Sequence, residues 1–378
     1  MLQIIKEGGV FLAPCLHTLF TFSLNSACIP SAWKTAVVSP IHKKGPRNLA
    51  EKYRPISVTS CCCRILERII RKNLTNFLET SDLILQSQHG FRKGRSTDTL
   101  LLSFYDFVTQ AIDTNNIVDT IFFDFAKAFD KIPHDILINK LALYGISGLV
   151  LRWIADFLTD RFQKVRIGNF SSASLPVSSG IIQGSVLGPL LFNLFINDID
   201  TSLKYCSILK YADDVRIFLS APKDDNALCV LRSKLQEDID SISGWAAASG
   251  MDFNTAKCFC VTFGQFSKSP SRNYSLRTVS LPNMNGFDDL GVFVCSRPLS
   301  FNKHIDTCVV KAFSKLGLIN KLFYFKNRNT ILRLYKTYDR PKIEYTSVIW
   351  NPYTKTNIHK LDRVQRRTCM CKMIPNVL

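Results

Sequence analysis

Apolar residues along this chain recur at two spacings, and the spacings divide it into elements. A three-to-four-residue period predicts helices over residues 1–30 (Leu12, Leu16, Leu19 and Phe20, closed by Ile29-Pro30) and over Cys63–Leu78 (Ile65, Leu66, Ile69, Ile70, Leu74, Phe77). The same period predicts helices at Thr97–Asp113, Asp135–Tyr144, Gly148–Asp160 and Asn226–Ser249, the last stopped by Gly250. Ser96 or Thr97 serves as an N-cap, and Pro189 sits in the first turn of an apolar helix that leads to Asp198. Helices are also expected at Lys303–Asn320, Thr330–Tyr338 and Asn357–Cys371. Alternating or short continuous apolar runs predict strands at Trp33–Ile41, Val118–Phe125 and Cys258–Phe263, with short strands near Val279 and Gly291–Val294. Tyr53–Ile56 is extended ahead of Pro55, and a basic hairpin covers Phe162–Gly168 and Leu175–Ile181. The polar stretch Ser267–Ser275 reads as a loop boundary. Strand–helix–strand, then hairpins, then helices argue an α+β chain.

Polar residues that break these patterns carry the chemistry. Ser207–Leu219 alternates on both sides of Ala212-Asp213-Asp214, as two strands joined by a tight turn would. Adjacent carboxylates raise each other's pKa, and a cation relieves that cost. Asp124 lies inside a strand that is otherwise apolar on both faces, where a carboxylate is expensive unless paired. If the two strands are neighbours, three carboxylates face one space. The hard, oxygen-seeking ion they imply is Mg²⁺, with Mn²⁺ as the alternative. Two such ions about 4 Å apart can activate an attacking oxygen and stabilise a leaving one in phosphoryl transfer.

Charge narrows the partner. The chain has 378 residues, 46% of them apolar, and a net charge of +18 spread along its length, which favours nucleic acid over an anionic membrane surface. The loop Gln88-His-Gly-Phe-Arg-Lys-Gly-Arg-Ser96 offers cations, glycines and an aromatic suited to phosphate and base contacts. Val10–Leu24 is too short to span a bilayer and lacks a signal peptide's basic start, so no membrane partner is expected. The 13 cysteines include no C-x2-C pair of the zinc-site kind, so no zinc site is expected. They fit a reducing, intracellular setting, in cytoplasm and nucleus.

The wording of several segments resembles the reverse transcriptases of LINE-type, non-LTR retrotransposons, in particular the jockey-like or CR1-like groups. Phe123-Asp-Phe-Ala-Lys-Ala-Phe-Asp-Lys-Ile-Pro-His134 resembles their motif A, Gly180-Ile-Ile-Gln-Gly-Ser-Val-Leu-Gly-Pro-Leu-Leu-Phe192 their motif B, and Tyr211-Ala-Asp-Asp214 their motif C. Pro40–Gly45, Tyr53–Ser57, Gln88–Arg92, Asn254–Lys257, Leu290–Val292, Glu344-Tyr345, Trp350–Pro352 and Val364–Arg367 follow in the family's order. This ordered set covers nearly the whole chain and is far more specific than Tyr-Ala-Asp-Asp alone.

The resemblance implies a right-hand polymerase (fingers, palm, thumb) with an antiparallel palm sheet packed on helices. Fingers and an N-terminal helical segment would occupy residues 1–117, and the palm 118–265, including a hairpin near 162–181. A palm–thumb connection would follow at 266–302 and a helical thumb-like part at 303–378. The family's function is RNA-directed DNA synthesis from dNTPs on a DNA primer and an RNA template. Asp124 and Asp213 match its two principal metal ligands, with Asp214 auxiliary. Lys257 matches the proton donor to the departing pyrophosphate. Phe129 matches the steric gate against a ribose 2′-hydroxyl, and Phe125, Gln183 and Gly184 match residues at the nucleotide. Arg54 and Lys43 match residues that neutralise the triphosphate, while Arg92, Arg95 and Tyr211 would meet template or primer. Ile182 stands where the family has proline, and Cys295-Ser296 departs from the primer-grip pattern. An endonuclease domain, expected upstream in a full-length element, has no counterpart here. The alternative is therefore a truncated, catalytically idle remnant that only binds nucleic acid. An RNA-templated RNA polymerase on the same fold is disfavoured by Phe129.

Overall fold

The computed structural model describes residues 5, 7–264, 273–323 and 327–370. In chain order its elements begin with α1 (Gly9–Ser26), β1 (Thr35–His42), β2 (Tyr53–Val58), α2 (Cys61–Thr80), α3 (Thr97–Asp113) and β3 (Asn116–Phe123). They continue with α4 (His134–Leu143), α5 (Gly148–Leu158), β4 (Arg161–Ile167), β5 (Phe170–Ser171), β6 (Leu175–Val177), α6 (Gly188–Ile196), β7 (Ser207–Tyr211), β8 (Asp214–Pro222) and α7 (Asp225–Ala248). The last part holds β9 (Phe259–Phe263), β10 (Ser275–Leu276), β11 (Val279–Ser280), β12 (Gly286–Asp289), β13 (Val292–Ser296) and β14 (Leu299–Ser300). Helices α8 (Asn302–Leu322), α9 (Arg328–Leu334), α10 (Arg340–Ile343), α11 (Ser347–Trp350) and α12 (Lys355–Met370) complete it. Helices packed with mainly antiparallel strands make the chain α+β, as its sequence pattern predicts. The chain divides into two compact units, each discontinuous in sequence. The loop expected at Ser267–Ser275 lies mostly outside the described residues.

The first unit comprises residues 1–93, 123–215 and 237–257. Its five-stranded sheet runs β2-β1-β4-β5, with β6 also on β4. β1 and β2 are antiparallel from Val37↔Val58 to His42↔Tyr53, whereas β1 and β4 pair in parallel, which the sequence pattern did not predict. Helix α2 buries Cys63, Leu66, Ile70, Leu74 and Leu78, one stripe at helical spacing. On that stripe lies Glu67, whose carboxylate accepts the N–H groups of Val186 and Leu187 at 2.6 and 3.0 Å, just ahead of α6. Burial raises the Glu67 pKa, and those backbone N–H groups act against the rise. Trp153 and Phe157 stack in the core, and the Trp153 indole N–H donates to Ser23 Oγ at 3.0 Å, tying α5 to α1.

The second unit comprises residues 94–122, 216–236 and 258–378. Ser96 caps α3 through a reciprocal pair with Thr99, so the predicted helix start and end both hold. β3 lies between β8 and β9, and its pairing with β9 runs antiparallel from Val118↔Phe263 to Phe122↔Phe259. β12-β13-β14 form a separate three-stranded antiparallel sheet. The Phe104 ring meets Tyr105, Phe122, Phe218 and Phe263 edge-on, and this aromatic cluster is the unit's core. Asp119, inside β3, is buried and accepts from Thr262 Oγ1 and Tyr274 Oη, both at 2.6 Å. A carboxylate within a buried strand is thus paid for by two hydroxyl donors. Among the described residues no helix is long and apolar enough to cross a membrane.

Candidate active site

β3 ends at Phe123, so Asp124 lies one residue beyond the strand and not inside it. The backbone after it is held against residues 252–254: Ala126 N–H donates to Asp252 O at 2.8 Å, and Asn254 N–H to Asp124 O at 2.7 Å. Phe125 and Phe253 form a bridge between the two segments, and their rings stack at 4.6 Å. Lys257 follows from that segment, and its Nζ reaches the Asp124 carboxylate at 3.0 and 3.3 Å.

Asp213 belongs to the turn between β7 and β8. Its pKa is raised, first by burial and then by the charge of Asp124, while the cations of Arg54 and Lys257 pull it down. Two carboxylates and two cations therefore share one electrostatic neighbourhood. Asp214, the first residue of β8, is exposed. Among the described residues no three His, Cys, Asp or Glu side chains are grouped as a metal cage. The fit to a divalent cation accordingly rests on Asp124 and Asp213. Mg²⁺ is commonly held by one or two carboxylates together with substrate phosphates and water, so that donor set is sufficient. The raised Asp213 is the group such a charge would relieve.

The segment 179–184 is stitched to the turn after Asp124. Ile181 N–H donates to Phe129 O at 2.6 Å, and Gly180 N–H to Ile132 O at 2.9 Å. Gly180 has φ +86, and a Cβ there would sit 2.5 Å from Asp130 O. The half-buried Phe129 ring stacks on Phe192 at 4.5 Å. Gln183 donates through its side-chain amide to Asp130 Oδ1 at 2.8 Å, and its carbonyl accepts Ser57 N–H at 2.7 Å from β2, the strand that carries Arg54. Gly184 has φ +106 and leaves no room for a Cβ, which would lie 2.6 Å from Ser57 O.

The Phe125 ring is buried among Phe253 and Trp245, which leaves only its backbone for a ligand. The Arg92 guanidinium is taken up by Glu79 in a bidentate pair and by Leu85 O. Arg95 belongs to the second unit. Arg54 and Lys43 are exposed on β2 and next to β1, and Tyr211 is half-buried at the end of β7.

Two residues outside the predicted set reach the site. Asp130 holds the Gln183 amide, as described. Buried Gln88 accepts the Ala212 N–H at 3.0 Å. Asp130 stands six positions after Asp124 within the quoted motif, a signal that was present, whereas nothing in the local pattern marks Gln88 as buried.

The reverse transcriptase (RNA-dependent DNA polymerase) family matches residues 41–313. The RNA-directed DNA polymerase from mobile element jockey of Drosophila melanogaster is 28% identical over 366 residues, covering 93% of this chain and 39% of that protein. The probable RNA-directed DNA polymerase from transposon BS of the same fly is 27% identical over 370 residues, covering 93% and 40%. The chain thus spans about two fifths of the length of the curated relatives it matches. Among solved structures, telomerase from Candida albicans, in complex with a TWJ fragment of telomeric RNA, superposes with a TM-score of 0.50 at 11% identity. That superposition covers 93% of this chain and 65% of the telomerase chain, and it shows the polymerase fold alone.

Proposed function

The chain belongs to the reverse transcriptase family, and on that premise we propose that it is the RNA-directed DNA polymerase of a non-LTR retrotransposon. It would extend a primer 3′-hydroxyl with dNTPs along an RNA template. The observation that carries the reading is the shared neighbourhood of Asp124, Asp213, Arg54 and Lys257. In sequence terms residues 118–265 would be the palm, with fingers and an N-terminal helical segment at 1–117, a palm–thumb connection at 266–302 and a helical thumb-like part at 303–378.

Asp124 and Asp213, with Asp214 auxiliary, would hold divalent cation, Mg²⁺ by preference of hard oxygen donors. A divalent ion held there would supply Lewis acidity toward the attacking hydroxyl and positive charge toward the phosphate oxygens. Arg54 and Lys43 face the triphosphate as fixed positive charge. The primer 3′-hydroxyl gives its proton to solvent water as its oxygen bonds to the α-phosphorus, the bond from that phosphorus to the bridging oxygen breaks, and pyrophosphate leaves. Lys257 supplies the proton that the leaving group takes. Its side chain is 64% exposed, so it can leave Asp124 to do so. Phe129 packs where a ribose 2′-hydroxyl would go, and its stack on Phe192 fixes the ring. Asp130 holds the Gln183 amide beside the incoming base, and Gly184 lets backbone approach it.

Purified protein, an RNA template, a DNA primer, dNTPs and Mg²⁺ test the reading. Wild type should extend the primer, and Asp213→Asn should extend it about 10²–10³-fold more slowly. Binding of the primer–template without extension would instead support the nucleic-acid-binding remnant, with an affinity that falls steeply with salt.

A further inference from the structure

The turn that presents Asp213 is held in a backbone conformation its sequence disfavours. Ala212 has φ +55, in the left-handed region that L residues other than glycine avoid. Buried Gln88 meets it from the loop after α2. One oxygen, Gln88 Oε1, accepts both the Ala212 N–H at 3.0 Å and the Gly90 N–H at 2.7 Å. Two donors on one atom settle which end of the amide faces the turn. Gln88 Nε2 has no hydrogen-bond partner among the described residues. An apolar side chain would fill the same space without leaving a buried donor unpaired, so filling space does not account for a glutamine here.

The surrounding backbone makes the same contact rigid. Gln88 and Lys210 form a parallel bridge, with Lys210 N–H donating to Ser87 O and His89 N–H to Lys210 O, both at 2.8 Å. Asn193 Nδ2 donates to Gly90 O at 2.8 Å from α6. Gly90 lies so close that a Cβ there would clash with the Ala212 nitrogen and sit 3.0 Å from the Tyr211 carbonyl carbon. The Lys210 side chain is buried and ion-paired with Asp200, whose other oxygen accepts from Ser87 Oγ at 2.5 Å.

We propose that Gln88 is a positioning residue for Asp213: with Gly90 it clamps Ala212 in the left-handed conformation and so sets where the Asp213 carboxylate points. The consequence for catalysis rests on the polymerase reading, whereas the clamp itself does not.

Gln88→Met removes the acceptor at similar volume. Deuterium exchange in peptides covering residues 207–216 should rise about tenfold, the worth of one buried hydrogen bond, while the remaining peptides exchange as in wild type. In primer extension with dNTPs and Mg²⁺, kcat should fall about 10²-fold, the scale of a 1 Å misplacement, with KM for dNTP within about twofold. Adding Ala212→Gly should return about tenfold of that rate, because glycine adopts positive φ without help. Loss of a space-filling side chain predicts no such rescue. Unchanged exchange over 207–216, full kcat in Gln88→Met, or a double variant no faster than the single one overturns the proposal. If circular dichroism shows that Gln88→Met does not fold, Gly90→Ala displaces the same nitrogen and should give the same exchange and rate signature. Wild-type behaviour in Gly90→Ala overturns the clamp. A wild-type chain that never extends a primer overturns the polymerase reading alone, since the exchange measurement still judges the clamp.

Discussion

Each unit of the molecule contains an aspartate joined to a cation, and the two pairs could hardly be used more differently. In the first unit Lys257 reaches Asp124 at 3.0 Å with the lysine 64% and the aspartate 29% exposed. In the second, Arg216 grips Asp289 through two nitrogens at 2.7 and 2.5 Å, with both side chains almost wholly buried. The Arg216 guanidinium also lies over the rings of Phe104 and Phe122, and Tyr105 Oη donates to Asp289 Oδ2 at 2.9 Å. Burial pushes the Tyr105 pKa well up, and the Asp289 charge adds to that, so the phenol stays a donor. The buried pair has every charge answered and nowhere to go. The open pair can separate at little cost, and its aspartate has a carboxylate neighbour in Asp213, whose charge Arg54 and the pair's own lysine partly offset. Burial makes one ion pair part of the framework, and exposure leaves the other available for chemistry.

The sharpest way to break this contrast is to cut the buried pair. Asp289→Ala strands the Arg216 charge and should cost about 3–5 kcal/mol in urea unfolding. Replacing both residues, Asp289→Leu with Arg216→Met, should recover much of that loss. A cost under about 1 kcal/mol for the single variant would remove the framework role. Asp213→Asn should lower the primer-extension rate by about 10²–10³-fold, as loss of one electrostatic group at a reacting centre does, without lowering the urea midpoint.

The same variant gives a pH test. A carboxyl whose folded pKa lies above its unfolded value binds more protons in the folded state within the window between them. Metal-free wild type should therefore gain stability as pH falls from neutral through the raised value toward the ordinary 3.8. Asp213→Asn should lack that increment, and equal pH profiles for the two proteins would contradict it. Phe129→Ala should relax discrimination against ribonucleotides by about ten- to a hundredfold, read by competing rNTP and dNTP in extension. Unchanged sugar choice would leave Phe129 a core aromatic stacked on Phe192. The smallest effect should come from Lys257→Met, which alters unfolding free energy by no more than about 1 kcal/mol, as an exposed pair would. A larger loss would place this pair with the framework.

Much of this is legible in the sequence where local pattern and local structure coincide. Helix α3 keeps its predicted ends because a capping serine and an apolar period specify it within its own residues. The tight turn before Asp214 was legible from alternation on both sides. Polar residues were harder. The stretch Gln88–Ser96 reads as a loop suited to phosphate and base contacts, yet Gln88 and His89 are buried and Arg92 is paired to Glu79. Glu67 lies on the apolar stripe of α2, where no rule of periodicity places a carboxylate, because its donors are about 120 residues away in the chain.

The sequence by itself determined the α+β class and the family, since strand and helix periods and short ordered motifs are properties of neighbouring residues. Only the tertiary structure decided which charges are sealed and which stay open. It also decided that Asp124 and Asp213 share a field with Arg54 and Lys257, and that Gln88 turns inward to meet Ala212. The physical reason is that a pKa, a buried hydrogen bond and the worth of an ion pair all depend on what packs around a group. That packing comes from segments far apart in the chain, which no local pattern encodes.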